Sequence, residues 1–505
     1  MITQWLWSDK HKEWLALAWL GLLLAPFVAL VLWIHPSADD FSYATQVAER
    51  GIWGNTLWYF SNWSGRFASN TLTSLTPVTL SLGEGTITIA TLIWYRIIAL
   101  VMVSFFAWSL WFALRSIMQR FAPSPRWLLL ALYAGILTAL LIMLVSPAEL
   151  FYWYPAAVAY CLPWSLLFLA VGLSVHYLGQ PIARRRRLYI SAATAALAVA
   201  IGGQEMSLMI VLVSLAALTL YLWRRLRSGR RRVLVAVDTI CLAAAAVALS
   251  APGNFARKAI WLERGYGQVD LGERISSWLV DLVSTFGRTV GSTRLLALLL
   301  VMAPLLFMAV KRLAPTIKPV INPLWTFALL AALWVGTSLP GLLASSPELL
   351  GAGRTINTYN IVTAILMIIF VTHLLWWLSA KTGPALAMMI TMFGRSLQSR
   401  VAGVWLLLLG LFGAWILLSP DTPVSLAWRN TLSGSAAAYD RQLQDRYSAI
   451  RSSGQVEVVV PTLTDVPKVI FFDDISTDRL DWRNTSYARF FGKDSIVLEQ
   501  KDLER

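Results

Sequence analysis

Charge is scarce in this sequence: Asp, Glu, Lys and Arg make up 14% of its 505 residues, against 57% hydrophobic residues. A soluble surface needs about a quarter charged residues, so the composition excludes a soluble globular protein. Cysteine is scarcer still, with Cys161 and Cys241 alone, which argues against a disulfide framework. There are four histidines, and His35, His176 and His373 have no partners at ligand spacing. Walker, HExxH and GxSxG patterns are all missing, which removes the common routes to soluble nucleotide, zinc-protease and serine-hydrolase chemistry. No internal repeat is visible, which weighs against an inverted-repeat transporter.

What the chain has in abundance is apolar runs of about 20 residues, each long enough to cross a hydrocarbon core. Runs and breakers place about eleven spans, near 14–34, 87–114, 127–145, 162–179, 188–202, 206–223, 233–250, 290–310, 324–340, 356–379 and 401–419. The first is followed by His35-Pro36-Ser37-Ala38-Asp39 rather than a small-residue cleavage site, so it reads as a retained span. The fifth ends at Gly202-Gly203-Gln204-Glu205, either a tight hairpin or a broken helix.

With the N-terminus inside, the inner loops are 115–126, 184–187, 224–232, 311–318 and 381–400, all basic and all free of acid. The net charge of +15 is therefore the positive-inside signature of a membrane topology, with membrane lipids as neighbours and no support for nucleic acid. The segment 384–397 suits the inner interface. Three outer regions exceed a turn. The first loop, 35–86, fits two short surface helices at 41–50 and 53–60; the second runs over 252–288. The third is the tail 420–505, with a helix around 436–450 and strand-like runs at 456–460 and 469–472, which reads as a small α+β domain beyond a membrane domain of 1–419.

Candidate chemistry gathers on that outer face. Asp39 and Asp40 are adjacent carboxylates at a membrane boundary, where desolvation and mutual repulsion raise a pKa toward that of a general base, although Asp is equally a favoured helix cap. Trp63 offers a face to a sugar or a lipid interface, and Arg66 a planar fork for phosphate. Asn62-Trp63-Ser64 is also a glycosylation pattern, relevant only in a eukaryotic lumen. Glu149 sits among aromatics that include Trp153 and Tyr154, and Glu205 is an isolated acid between apolar stretches. Asn254, Arg257, Lys258 and Arg354, with Arg96, are polar or cationic groups placed against the positive-inside bias, as an anion site requires and as lipid headgroups also satisfy.

This layout resembles the GT-C superfamily of membrane glycosyltransferases. More closely, Ala38-Asp39-Asp40-Phe41, Trp63-Ser64-Gly65-Arg66-Phe67, the run Glu149 to Tyr154, Pro252-Gly253-Asn254 with Arg257, and the tail motifs Trp482-Arg483-Asn484 and Tyr487 to Gly492 are similar to a bacterial polytopic family. That family is itself similar to the serotype-converting O-antigen glucosyltransferases of lipopolysaccharide. The resemblance implies a multi-pass bacterial inner-membrane enzyme, its N-terminus cytoplasmic and C-terminus periplasmic. It implies an inverting hexosyl- or pentosyltransferase, with a polyprenyl-phosphate sugar as donor and a cell-envelope glycan or glycolipid as acceptor. Asp39 or Asp40 would deprotonate the acceptor. The pair is contiguous rather than Asp-x-Asp, so no divalent metal is expected as a resident cofactor, although two carboxylates can bind one. A lipid-linked glycan polymerase or ligase, and a non-enzymatic lipid-glycan transporter, are the alternatives.

Overall fold

The computed structural model describes residues 8–223, 225, 228–263, 270–313, 321–343, 351–381 and 401–499. The interfacial segment expected at 384–397 lies outside them. A helix covers each expected span. In order they are α1 (Asp9–Leu30), then α2 (Asp39–Asn62) and α3 (Phe67–Thr73) in the first loop, α4 (Ile89–Phe121), α5 (Arg126–Ile142), α6 (Leu162–Gly179), α7 (Ala183–Ile201), α8 (Glu205–Leu222) and α9 (Ser228–Leu249). Two further helices, α10 (Pro252–Glu263) and α11 (Leu271–Val290), fill the second large loop before α12 (Thr293–Val310), α13 (Pro323–Leu343), α14 (Gly353–Lys381) and α15 (Val401–Leu418). The tail holds α16 (Pro423–Leu432), α17 (Ser435–Ser452), β1 (Glu457–Val460), α18 (Trp482–Phe490) and β2 (Ser495–Leu498).

The chain is a multi-pass, almost wholly helical membrane protein. Eight helical stretches among the described residues are long and apolar enough to cross a bilayer, or nine when α15 and α16, bent by 57°, count as one. The two expected spans outside this set have physical reasons for falling short. Helix α5 has only 17 residues, and α7 opens on Arg184 to Arg187, which confines its apolar part to the remainder.

Local sequence explains the connections. Gly202 and Gly203 form a tight turn between α7 and α8, and the Gln204 side chain caps α8 by accepting from the Met206 N–H at 3.1 Å. The interruption of the fifth span is therefore a hairpin. The first loop behaves as two helical pieces joined at Gly51, whose φ of 68° suits glycine.

The tail differs in one respect from its expectation. Residues 469–472 are turn and extended chain rather than a strand, because Val469 and Ile470 bury their side chains directly into the core. The partner of β1 is instead β2, in a parallel pair with Val458 opposite Ile496. Moreover, the tail shares one continuous apolar core with the helical body. The ring of Phe41 meets those of Tyr487 at 4.7 Å and Phe490 at 5.1 Å. His35, buried beneath the tail, bonds Asp440 at 2.7 Å, and Arg96 reaches the same carboxylate at 2.6 Å.

Candidate active site

The site is built where α1 gives way to α2. Between them the chain turns through Ala38, at φ 47° and ψ −113°, a sparsely populated conformation for a residue with a side chain. Three bonds hold the turn. Asp40 Oδ2 accepts from the Ser37 N–H at 2.9 Å and from the Tyr95 hydroxyl at 2.8 Å, while Trp153 Nε1 donates to the Ser37 carbonyl at 3.2 Å. Asp40 is fully buried, and its other oxygen has no partner among the described residues. Burial pushes its pKa up to about 8, although the Ser37 and Tyr95 bonds pull it down; the neighbouring Asp39 adds to the rise.

Asp39 is in a different situation. It is half-buried, and its carboxylate makes no hydrogen bond or ion pair among the described residues. Burial raises its pKa to about 6, Arg354 works against the rise and Asp473 adds to it. At neutral pH the pair is thus one ionised carboxylate, free to accept a proton, beside one neutral carboxylic acid that holds the turn.

Arg354 acts electrostatically on this acid, and two further guanidiniums, Arg66 and Arg257, lie in the same region. Arg354, in the first turn of α14, donates to Glu149 at 2.8 Å and lies over the Trp153 ring at 5.5 Å. Gly353 makes the approach possible, since a Cβ there would collide with the Glu149 carboxylate. The tail contributes Phe472, stacked on Trp153 with ring centroids 3.6 Å apart. Arg66 grips Glu205 at the start of α8 with Nε contacts of 3.0 and 2.8 Å, and Arg257 of α10 reaches the same carboxylate at 3.4 Å. The buried Tyr160 interacts electrostatically with Arg66, Arg257 and Arg354, which joins the two clusters. Two glutamates against three arginines leave one cationic charge, which the ionised Asp39 offsets until it takes up a proton, so the region can hold an anion as the base is protonated.

The structure thus brings Asp39, Asp40, Arg66, Glu149, Trp153, Glu205, Arg257 and Arg354 into one region. Others take positioning roles. Asn254 accepts from the Gly65 N–H at 3.0 Å and donates to the Ala248 carbonyl at 2.8 Å, so it anchors the Arg66 loop rather than facing the site. Tyr154 donates its hydroxyl to the Leu72 carbonyl, and its N–H bonds the Tyr95 oxygen at 3.1 Å. Trp63 is half-buried and ends α2, while Lys258 is exposed and makes no ion pair among the described residues. Arg96 is committed to Asp440.

Tyr95, Tyr160, Phe472 and Asp473 belong to this region and were not singled out from the sequence. Phe471-Phe472-Asp473-Asp474 does repeat the pairing of aromatics with acids that marks Asp39-Asp40-Phe41, the one signal that pointed to it. Among the described residues no group of three or more His, Cys, Asp or Glu gathers as a metal site.

The Arg66 loop is wedged so tightly that a Cβ on Gly65 would overlap the Ala248 carbonyl oxygen. Gly65→Ala should therefore lower stability by about 1–3 kcal/mol, the cost of overpacking a closed contact, seen as a reduced Tm in detergent. An unchanged Tm would mean that the loop and α9 are not locked together.

Comparison of the chain with protein families, with curated proteins and with solved structures gave no match.

Proposed function

We propose that the protein is an inverting GT-C-like glycosyltransferase that moves a hexosyl or pentosyl group from a polyprenyl-phosphate donor to a cell-surface glycan or glycolipid, with Asp39 as the general base. The observation that carries this reading is an ionised carboxylate, without a partner among the described residues, beside Arg354, whose guanidinium belongs to a cluster of three arginines and two glutamates. A base and an anion holder side by side are what glycosyl transfer from a phosphate needs. The acceptor hydroxyl gives its proton to Asp39 as its oxygen bonds the anomeric carbon. The bond from that carbon to the phosphate oxygen breaks, and Arg354, with Arg66 and Arg257, holds the charge that develops on the phosphate. Trp153, stacked on Phe472 and lying under Arg354, holds that guanidinium in place.

In this reading α5 and α7 also cross the bilayer, which makes eleven crossings. The positive-inside bias then sets the N-terminus in the cytoplasm and the site and tail 420–505 in the periplasm of a bacterial inner membrane. Because Phe472 and Asp473 come from the tail, the tail completes the site and is placed to meet the acceptor.

The test is transfer of radiolabelled sugar from defined polyprenyl-phosphate donors to a glycolipid acceptor by the purified protein. Product with one donor is the expected result. If no donor yields product, a diphosphate-linked glycan substrate or a transport activity becomes the better reading.

A further inference from the structure

Helix α11 carries three distinct flanks. Ile275, Leu279, Val280 and Val283 form an exposed apolar stripe, with Val283 69% exposed. Glu273, Ser277, Asp281, Ser284 and Arg288 form an exposed polar stripe beside it. The third flank packs on the bundle. Trp278 Nε1 donates to the Ser338 carbonyl of α13 at 3.3 Å, the Phe286 and Trp334 rings meet at 5.2 Å, and Thr289 bonds Asn360 of α14 at 2.9 Å.

These contacts fix the direction of the helix. Between Trp278 and Phe286, about 12 Å of α11, the contact on α13 moves only from Ser338 to Trp334, about 6 Å. The helix therefore crosses the spanning helices obliquely near the ends that carry the site. An amphipathic helix in that attitude, on a membrane protein, meets the boundary of acyl chains and headgroups. Helix α13 likewise exposes apolar side chains, Phe327 and Val335 among them.

We propose that α11 lies in the membrane plane with its apolar stripe in the acyl-chain boundary, and that this seat sets the arginine cluster at the depth of lipid phosphates. Arg354 lies six residues toward the water from Asn360 along α14, about 9 Å at helical rise. Headgroup phosphates occupy the layer just above the acyl boundary, so the guanidinium meets a phosphate whose apolar tail has not left the leaflet. That substrate aspect rests on the glycosyltransferase reading; the seat of α11 does not.

The experiment uses the full chain, one copy per lipid nanodisc, with single cysteines at Val283, Ser284 and Gly351 carrying a small fluorophore. Cys161 and Cys241 are fully buried and stay unlabelled, and a Cβ on Gly351 meets no atom within 4 Å. The Val283→Cys probe should be quenched at least threefold more by nitroxides on upper acyl carbons than by aqueous iodide. The Ser284→Cys probe should show the reverse, and the Gly351→Cys probe should respond most to headgroup nitroxides. Equal iodide quenching at 283 and 284 would overturn the in-plane seat. Shielding of 283 from both quenchers would show that protein covers the stripe, and a depth at 351 equal to that at 283 would overturn the phosphate-level site. No arm requires catalysis. This quenching pattern in a protein that transfers no sugar would leave α11 in place and remove only the enzymatic reading.

Discussion

Asp39→Asn should reduce sugar transfer by on the order of 10²–10⁴-fold with no loss of folded protein, whereas Asp40→Asn should keep most of the activity. The two carboxylates are neighbours in sequence but not in circumstance. Asp39 has no partner among the described residues and a pKa near 6, so it is ionised at neutral pH and free to take a proton. Asp40 spends one oxygen on Ser37 and Tyr95, and burial holds it neutral up to about pH 8. An amide replaces a neutral acid there with its accepting oxygen intact. The same contrast predicts a pH-dependent stability. In the folded protein the Asp40 pKa is raised from 3.8 to about 8. Its contribution is fully present below pH 4 and is lost as pH rises toward 8, because the unfolded chain ionises the acid and the folded chain does not. Asp40→Asn removes that loss, so its Tm relative to wild type should rise between pH 5 and pH 8. Comparable activity loss in the two variants, or an active Asp39→Asn protein, would dismiss Asp39 as the base.

Much of the fold was legible in the sequence because the bilayer imposes a length and a charge bias that one chain displays on its own. The expected spans all fall on helices, and the break at Gly51 falls between the two helical pieces expected in the first loop. The division of labour between Asp39 and Asp40 was not legible, since it depends on Tyr95, 55 residues away, and on a turn at Ala38 whose conformation no residue preference announces. Arginine pairing was equally hidden. Arg66 and Glu205 are 139 residues apart, and Arg354 and Glu149 are 205 apart, so each read as an isolated charge. His35 had no visible ligand or partner because Asp440 is 405 residues away. The tail read as a separate domain for the same reason: its helix α17 is amphipathic, but nothing in its own sequence states that the buried face packs on the start of the first loop.

Arg354→Gln should cut transfer by about 100-fold and also move the acidic limb of the pH–rate profile upward from its wild-type position near pH 6. Two effects of one guanidinium are removed together. The first is its hold on the leaving phosphate, a charge-assisted contact that matters most as the bond breaks. The second is electrostatic: Arg354 favours the ionised form of Asp39, so without it the base ionises at higher pH. Asp473→Asn isolates the second effect, because Asp473 lies near Asp39 and opposes its ionisation but offers a phosphate nothing. Its acidic limb should move downward, with a plateau rate close to wild type. Arg354→Lys keeps the charge while losing the fork, so it should leave the limb near pH 6 and lower the plateau alone. Full pH–rate curves for the three variants distinguish the contributions. If the limb stays fixed in both Arg354→Gln and Asp473→Asn, the titrating group is not Asp39, since Asp39 feels both neighbours in opposite directions and its ionisation must move when either is removed.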